Sequence, residues 1–141
     1  MFVIDTDLLS IMQRRSEPAT GQLKGRMNMY PLSSFHVTVV NLHEQILGAN
    51  NFIARNARRR EITFGYRLIE LAMIDYERFQ VLPFDEPSAI RFEDLRKQKV
   101  RIGTMDLRIA SIALTHDFTV LSRNVVDFEK IPGLRCEDWT L

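Results

Sequence analysis

Read from its first residue, the chain alternates short apolar runs with longer stretches in which apolar side chains return every three or four positions. Phe2-Val3-Ile4 is apolar without alternation, the pattern of a strand covered on both faces. Asp5-Thr6-Asp7 then supplies helix-capping chemistry, and Leu8, Leu9, Ile11 and Met12 form a helical stripe. A second short helix is predicted from Glu17 to about Asn28, weakened by Gly21 and Gly25. Beyond Pro31, His36 to Val40 predicts a second strand. A long helical region follows from about Asn41 to Phe79, broken near Ala57–Glu61 into an antiparallel pair. Gln80-Val81-Leu82 predicts a third strand closed by Pro83, and Asp85 and Pro87 open a helix carrying Ile90, Phe92 and Leu95. Gly103-Thr104 opens another helix, which contains Asp106 and runs to about His116. Thr119 to Ser122 predicts a fourth strand and Leu134 to Cys136 a fifth at the edge.

Strands that alternate with helices imply crossover connections. The fold class expected is therefore α/β: a three-layer α/β/α sandwich around a central, mostly parallel sheet of four to five strands. No repeat, low-complexity tract or linker divides the sequence, so residues 1–141 are expected to form a single domain. In such sheets ligands bind beyond the carboxyl ends of the strands, where the strand order reverses. Asp5 follows the first strand directly, Glu44 comes one helical turn after the second, and Asp127 follows the fourth by a short loop.

Composition narrows the classes. With 45% hydrophobic and 26% charged residues, the chain can build a core and is not a disordered tail. The net charge of +1 does not advertise nucleic-acid binding, but it is unevenly spread. Residues 1–70 carry nine Lys/Arg against six Asp/Glu, and residues 71–141 carry ten against twelve, which leaves room for a local basic surface. A single cysteine, Cys136, excludes an internal disulfide and a multi-thiolate zinc site. His36, His43 and His116 share neither a helical face nor zinc-ligand spacing. The opening residues lack the basic start and long apolar run of a secretory signal, and no stretch approaches the roughly 20 apolar residues of a membrane span; a cytoplasmic location is expected.

The informative feature is acidic residues on apolar faces. Asp106 shares a helical stripe with Ile109, Ala110, Ala113 and Leu114, and Glu44 shares one with Val40, Leu47, Gly48 and Phe52. A carboxylate on a core-facing stripe must be paired, hydrogen-bonded or bound to a cation. Taken singly, each acid has an ordinary structural explanation as a cap or ion-pair partner. Taken together, three of them lie at or just beyond the carboxyl ends of predicted strands and Asp106 opens a helix within reach of the same edge, where mutual repulsion would call for a cation. A hard ion such as magnesium, which takes few carboxylates and accepts phosphate oxygens, suits that chemistry.

Four segments in order resemble the PIN-domain nucleases, and within them the VapC-type toxins of bacterial toxin–antitoxin systems. Phe2–Asp7 resembles the opening strand and its Asp-Thr-(Asn/Asp) turn. Val37–Val40 followed by Glu44 and Gly48 resembles the second strand and Glu-bearing helix. Ile102–Ala110 resembles the segment with the third acid, and Val120–Phe128 continuing through Ile131–Leu134 resembles the closing motif. The resemblance implies a metal-dependent endoribonuclease in which Asp5, Glu44, Asp106 and Asp127 hold Mg2+ or Mn2+ and carry catalysis. Thr6, Asp7, Ser122 and Asn124 would line the pocket. Asn124 competes with Asp127 for the fourth acidic place. Arg123 and Asp7 depart from the Asn common at both positions. The resemblance further implies a cognate antitoxin and a homodimer, with RNA as substrate and no membrane association.

Substrate contacts are sought among Arg14 and Arg15 and in the run Arg55, Arg58, Arg59 and Arg60, which also suits a solvated helix cap. Tyr30, Phe35 and Trp139 are candidates for base stacking or for the core, and Met12, Met27, Met29, Phe52, Phe64 and Tyr66 for an apolar contact surface or for the core. Two rival functions remain at this point. One is a haloacid-dehalogenase-type phosphatase using Asp5 as nucleophile and Asp7 as acid/base; the other is a catalytically inactive PIN-like module that binds RNA or protein.

Overall fold

The computed structural model describes residues 1–54 and 58–141, so the expected contact residue Arg55 lies outside the described residues. Among these residues five strands form one sheet: β1 (Phe2–Ile4), β2 (Phe35–Thr38), β3 (Gln80–Leu82), β4 (Thr119–Leu121) and β5 (Cys136–Glu137). Their order is β3-β2-β1-β4-β5, and every pairing is parallel. Among the described residues seven helices connect them: α1 (Thr6–Arg14), α2 (Ala19–Met27), α3 (Val39–Ile53), α4 (Arg59–Arg78), α5 (Glu86–Lys97), α6 (Thr104–His116) and the short α7 (Val125–Phe128). A 3-10 turn at Leu32–Ser34 precedes β2.

The layers follow from alternation in the buried strands. Phe2 and Ile4 of β1 pack with Leu8, Leu9 and Leu23 from α1 and α2 on one face. Val3, pointing the other way, packs with Leu107, Ile109, Ala110 and Ala113 of α6 and with Leu95 of α5. The chain builds outward from β1 to β2 and β3, then returns to place β4 on the other side of β1. The reversal therefore lies at β1 and β4, and residues just beyond those two strands, Asp5 and Ser122, become neighbours. Asp5 N–H donates to Leu121 O at 2.9 Å.

Three expectations change. The second strand stops at Thr38 rather than Val40, because Thr38 caps α3: its hydroxyl accepts from the N–H of Asn41 at 3.1 Å, while Asn41 Oδ1 accepts from Thr38 N–H at 2.7 Å. Two satisfied backbone donors outweigh the strand preference of Val39 and Val40. The fifth strand begins at Cys136 rather than Leu134. The Glu44 face of α3 is not a core stripe, since Leu47 is 48% and Phe52 39% exposed; it forms the wall of a groove instead.

Aromatic roles also resolve. Phe35 and Trp139 are buried and pack with Phe2 and the half-exposed Tyr30 at the amino-terminal end of the sheet, so they are core rather than base-stacking groups. Met27 is core and Met12 packs against it, whereas Met29, Phe52, Phe64 and Tyr66 are exposed. Among the described residues, no helix is long and apolar enough to cross a membrane.

Candidate metal centre

Each acid of the site is aimed by a local rule of chain geometry. Asp5 leaves β1 in extended conformation and becomes the N-cap of α1, its Oδ1 accepting from the N–H of Thr6 at 2.8 Å. Its other oxygen accepts from Ser122 Oγ at 2.7 Å, so the residue that follows β4 orients the residue that follows β1. Glu44 sits in the second turn of α3, and its Oε1 accepts from the Thr6 hydroxyl at 2.9 Å. Asp106 lies in the first turn of α6, with Ile109 and Ala110 of its stripe fully buried, and its Oδ2 accepts from Asn124 Nδ2 at 3.3 Å.

One carboxylate oxygen from each of Asp5, Glu44 and Asp106 comes within 4.8 Å of the others. Asp127 does not join that group. It is reached through Asn124, whose Nδ2 also donates to Asp127 Oδ2 at 3.0 Å, and its Oδ1 is paired with Lys130 Nζ at 2.9 Å. Asn124 thus stands between the third and fourth acids.

The electrostatics separate the two kinds of acid. Burial pushes the Asp5 carboxyl up from 3.8 to about 7; the charges of Asp7 and Asp106 add to the rise, and the Ser122 and Thr6 hydrogen bonds oppose it. Glu44 and Asp106 are likewise raised, first by burial and then by neighbouring carboxylates, against the hydrogen bonds from Thr6 and Asn124 respectively. Asp127 is lowered by its bonds from Asn124 and Lys130, the behaviour of a partly exposed, satisfied acid. Three crowded carboxylates that resist ionising together match the donor set of a hard divalent cation, which would favour all three charged forms at once.

The remaining expected residues fall around this centre. Thr6 is its hub, accepting from Asn41 Nδ2 at 2.9 Å while donating to Glu44. Asp7 reaches across to Arg123 at 3.1 Å. Arg14 lies farther along α1, beside a groove with Ser10, Gln13, Phe52, Phe64 and Leu68, and Arg15 is the left-handed cap of that helix. Arg58, Arg59 and Arg60 open α4; Phe52, close to Arg60, is eight residues past Glu44, about 12 Å along the α3 axis. They are not brought to the carboxylates. Cations at a helix N-terminus are also unfavourably placed for its dipole, which Glu61 partly offsets.

The sequence reading missed Asn41, which is fully buried, caps β2 into α3 and orients Thr6. The Thr-x-x-Asn spacing at Thr38 was the available signal, hidden inside the β-branched run that was assigned to the strand.

Comparison with known proteins agrees with this geometry. The ribonuclease VapC1 of Rickettsia felis is 28% identical over 141 residues, covering 94% of this chain and 91% of its own length. The tRNA(fMet)-specific endonuclease VapC of Salmonella typhimurium is 29% identical over 142 residues, covering 98% and 97% respectively. Among solved structures, DNA-bound VapBC from Salmonella typhimurium superposes with a TM-score of 0.75 at 26% identity, over 98% of this chain and 97% of that one. The PIN domain pattern matches residues 2–134, a span that takes in all five acids discussed and four of the five strands. With the parallel five-stranded sheet and the three converging carboxylates in place, the chain belongs to the PIN domain family.

Proposed function

We propose that the chain is a VapC-type endoribonuclease that hydrolyses phosphodiester bonds of RNA in the cytoplasm, the whole chain acting as one catalytic unit. The observation that carries this reading is the convergence of Asp5, Glu44 and Asp106 at the carboxyl edge of a parallel sheet. The ion they would hold is Mg2+ or Mn2+, which when bound supplies Lewis acidity and a water acidic enough to attack phosphorus near neutral pH.

The protein's share is positioning. Ser122 and the Thr6 N–H hold the two oxygens of Asp5, and the Thr6 hydroxyl, itself aimed by Asn41, holds Glu44. Asn124 holds Asp106, and Asp127 acts from outside by fixing that amide, so that the fourth acid orients the site rather than completing the cluster. Rigid carboxylates set beforehand need no rearrangement as charge builds on the phosphorus oxygens. The partners that follow from the VapBC likeness are an antitoxin chain and a second copy of this chain, with exposed Phe52, Phe64 and Tyr66 available for apolar contact.

The rival phosphatase reading is not favoured. Asp7, its acid/base, is engaged with Arg123, and Thr38, the hydroxyl ending β2, is engaged in capping α3. The test is incubation of purified protein with RNA in Mg2+, Mn2+ or EDTA, followed by sequencing of RNA ends. Cleavage that needs the divalent ion and disappears in Asp106→Asn is expected; undiminished cleavage by that variant would overturn the proposed centre. An inactive binding module would leave the RNA uncut under every condition.

A further inference from the structure

Arg123 is flanked by two residues that turn into the carboxylate site: Ser122 donates to Asp5 at 2.7 Å and Asn124 reaches Asp106 at 3.3 Å. Arg123 itself turns to the rim, where its Nε donates to Asp7 Oδ2 at 3.1 Å across 116 positions of sequence. The structure makes the two residues partners: the carboxylate at one position is answered by the guanidinium at the other.

Where this pair holds its charges matters more than what it adds to folding, because the two side chains are 31% and 51% exposed and an exposed ion pair stabilises little. Asp7 Oδ1 is buried and without a hydrogen-bond partner among the described residues, and Oδ2 faces Arg123. Only Nε of the guanidinium is used; its terminal N–H groups make no hydrogen bond among the described residues. That leaves the edge of a planar fork suited to two oxygens of one phosphate. A polyanion approaching Asp5, Glu44, Asp106 and Asp7 meets repulsion, and a fixed cation at the rim offsets it where the strand must pass.

We propose that Arg123, held at the rim of the carboxylate site by Asp7, binds the RNA phosphodiester adjacent to the one being cleaved, and that Asp7 is a positioning residue acting through Arg123. The inference rests on the endoribonuclease reading and names how that site grips its substrate backbone.

The test combines steady-state cleavage of a single-stranded RNA oligonucleotide in Mg2+ with binding of the same RNA to metal-free protein over a range of salt concentrations. Arg123→Gln is expected to raise KM roughly tenfold with a smaller change in kcat. It should also lower the slope of log affinity against log salt by about 0.7, the loss of one single-strand phosphate contact. Arg123→Lys should keep the slope and lose part of the affinity, since it keeps the charge and not the fork. Asp7→Ala, which removes the acceptor that holds Nε, should shift KM in the direction of Arg123→Gln, and Asp7→Asn, which still offers an oxygen to Nε, should shift it less. Thermal midpoints and Mn2+ affinity, read by calorimetry, should remain at wild-type values in Arg123→Gln. An unchanged KM and salt slope in that variant, with wild type cutting the RNA normally, would overturn the inference alone. Wild-type protein that leaves the RNA intact would overturn the nuclease reading, and the inference with it.

Discussion

Asp5 carries the largest consequence of any single residue. It is buried, faces other carboxylates, and in the metal-free fold keeps its proton up to about pH 7 against 3.8 ordinarily. Between those values the folded chain binds a proton that the unfolded chain has released, so this group makes metal-free stability fall as pH rises from about 4 to about 7. The slope from one site is bounded near 1.4 kcal/mol per pH unit. Denaturant titrations in EDTA from pH 4 to pH 8 should show this decline in wild type and a flatter profile in Asp5→Asn; identical profiles would remove Asp5 from the account. Ser122 acts on the same carboxylate from β4. Loss of an outer partner of a metal-binding carboxylate costs roughly 10–100-fold in activity or metal affinity, and Ser122→Ala is expected within that range. Asp5→Asn and Asp106→Asn should cost more than that in the cleavage assay while leaving circular dichroism unchanged.

At the scale of elements, α3 and α4 form a closely packed pair beside the site. Their approach is set by Gly65 of α4, where an added Cβ would lie 2.6 Å from Ile53 Cγ1, 2.9 Å from the backbone oxygen of Ala49 and 3.1 Å from Phe52 Cβ. The backbone oxygen cannot swing aside as a side chain would, so the helices must part. Gly65→Ala is therefore expected to destabilise by about 1–3 kcal/mol, despite the roughly 1 kcal/mol that alanine gains from helix propensity. Equilibrium denaturation measures it, and a stabilised variant would show that the pair packs more loosely than described. The same pair explains a limit of the sequence pattern. Leu47 and Phe52 share the Glu44 face at helical spacing, as core residues would, yet both are exposed, and Phe52 lines an open groove with Gly48. Period alone reports that a face is apolar, not what covers it.

For the whole molecule, the near-neutral net charge hides a local one: Asp5, Glu44 and Asp106 gathered on one edge, with Asp7 close enough for its charge to act on all three. A cation bound there by the folded chain and not by the unfolded one stabilises the entire fold, by about 2.7 kcal/mol at a concentration 100 times its dissociation constant. Added Mg2+ or Mn2+ should thus raise the melting temperature of wild type at pH 7, with little effect on Asp106→Asn and a wild-type effect on Arg123→Gln. Equal shifts in wild type and Asp106→Asn would place the ion elsewhere.

Much of this was legible in the chain itself. The order of the strands and longer helices, the parallel sheet, and the acids at Asp5 and Asp106 follow from local apolar runs, capping residues and the cost of placing charge on an apolar stripe, all of which act over a few residues, whereas the stripe that singled out Glu44 is a groove wall in the fold. The boundary at Thr38 was local too, but two signals overlapped there and the cap outweighed the strand. Other features could be decided only by the folded chain. The bond from Ser122 to Asp5 and the pairing of Asp7 with Arg123 depend on β4 returning to lie against β1. That return joins positions more than a hundred residues apart, and no periodicity within the sequence encodes a distance of that kind.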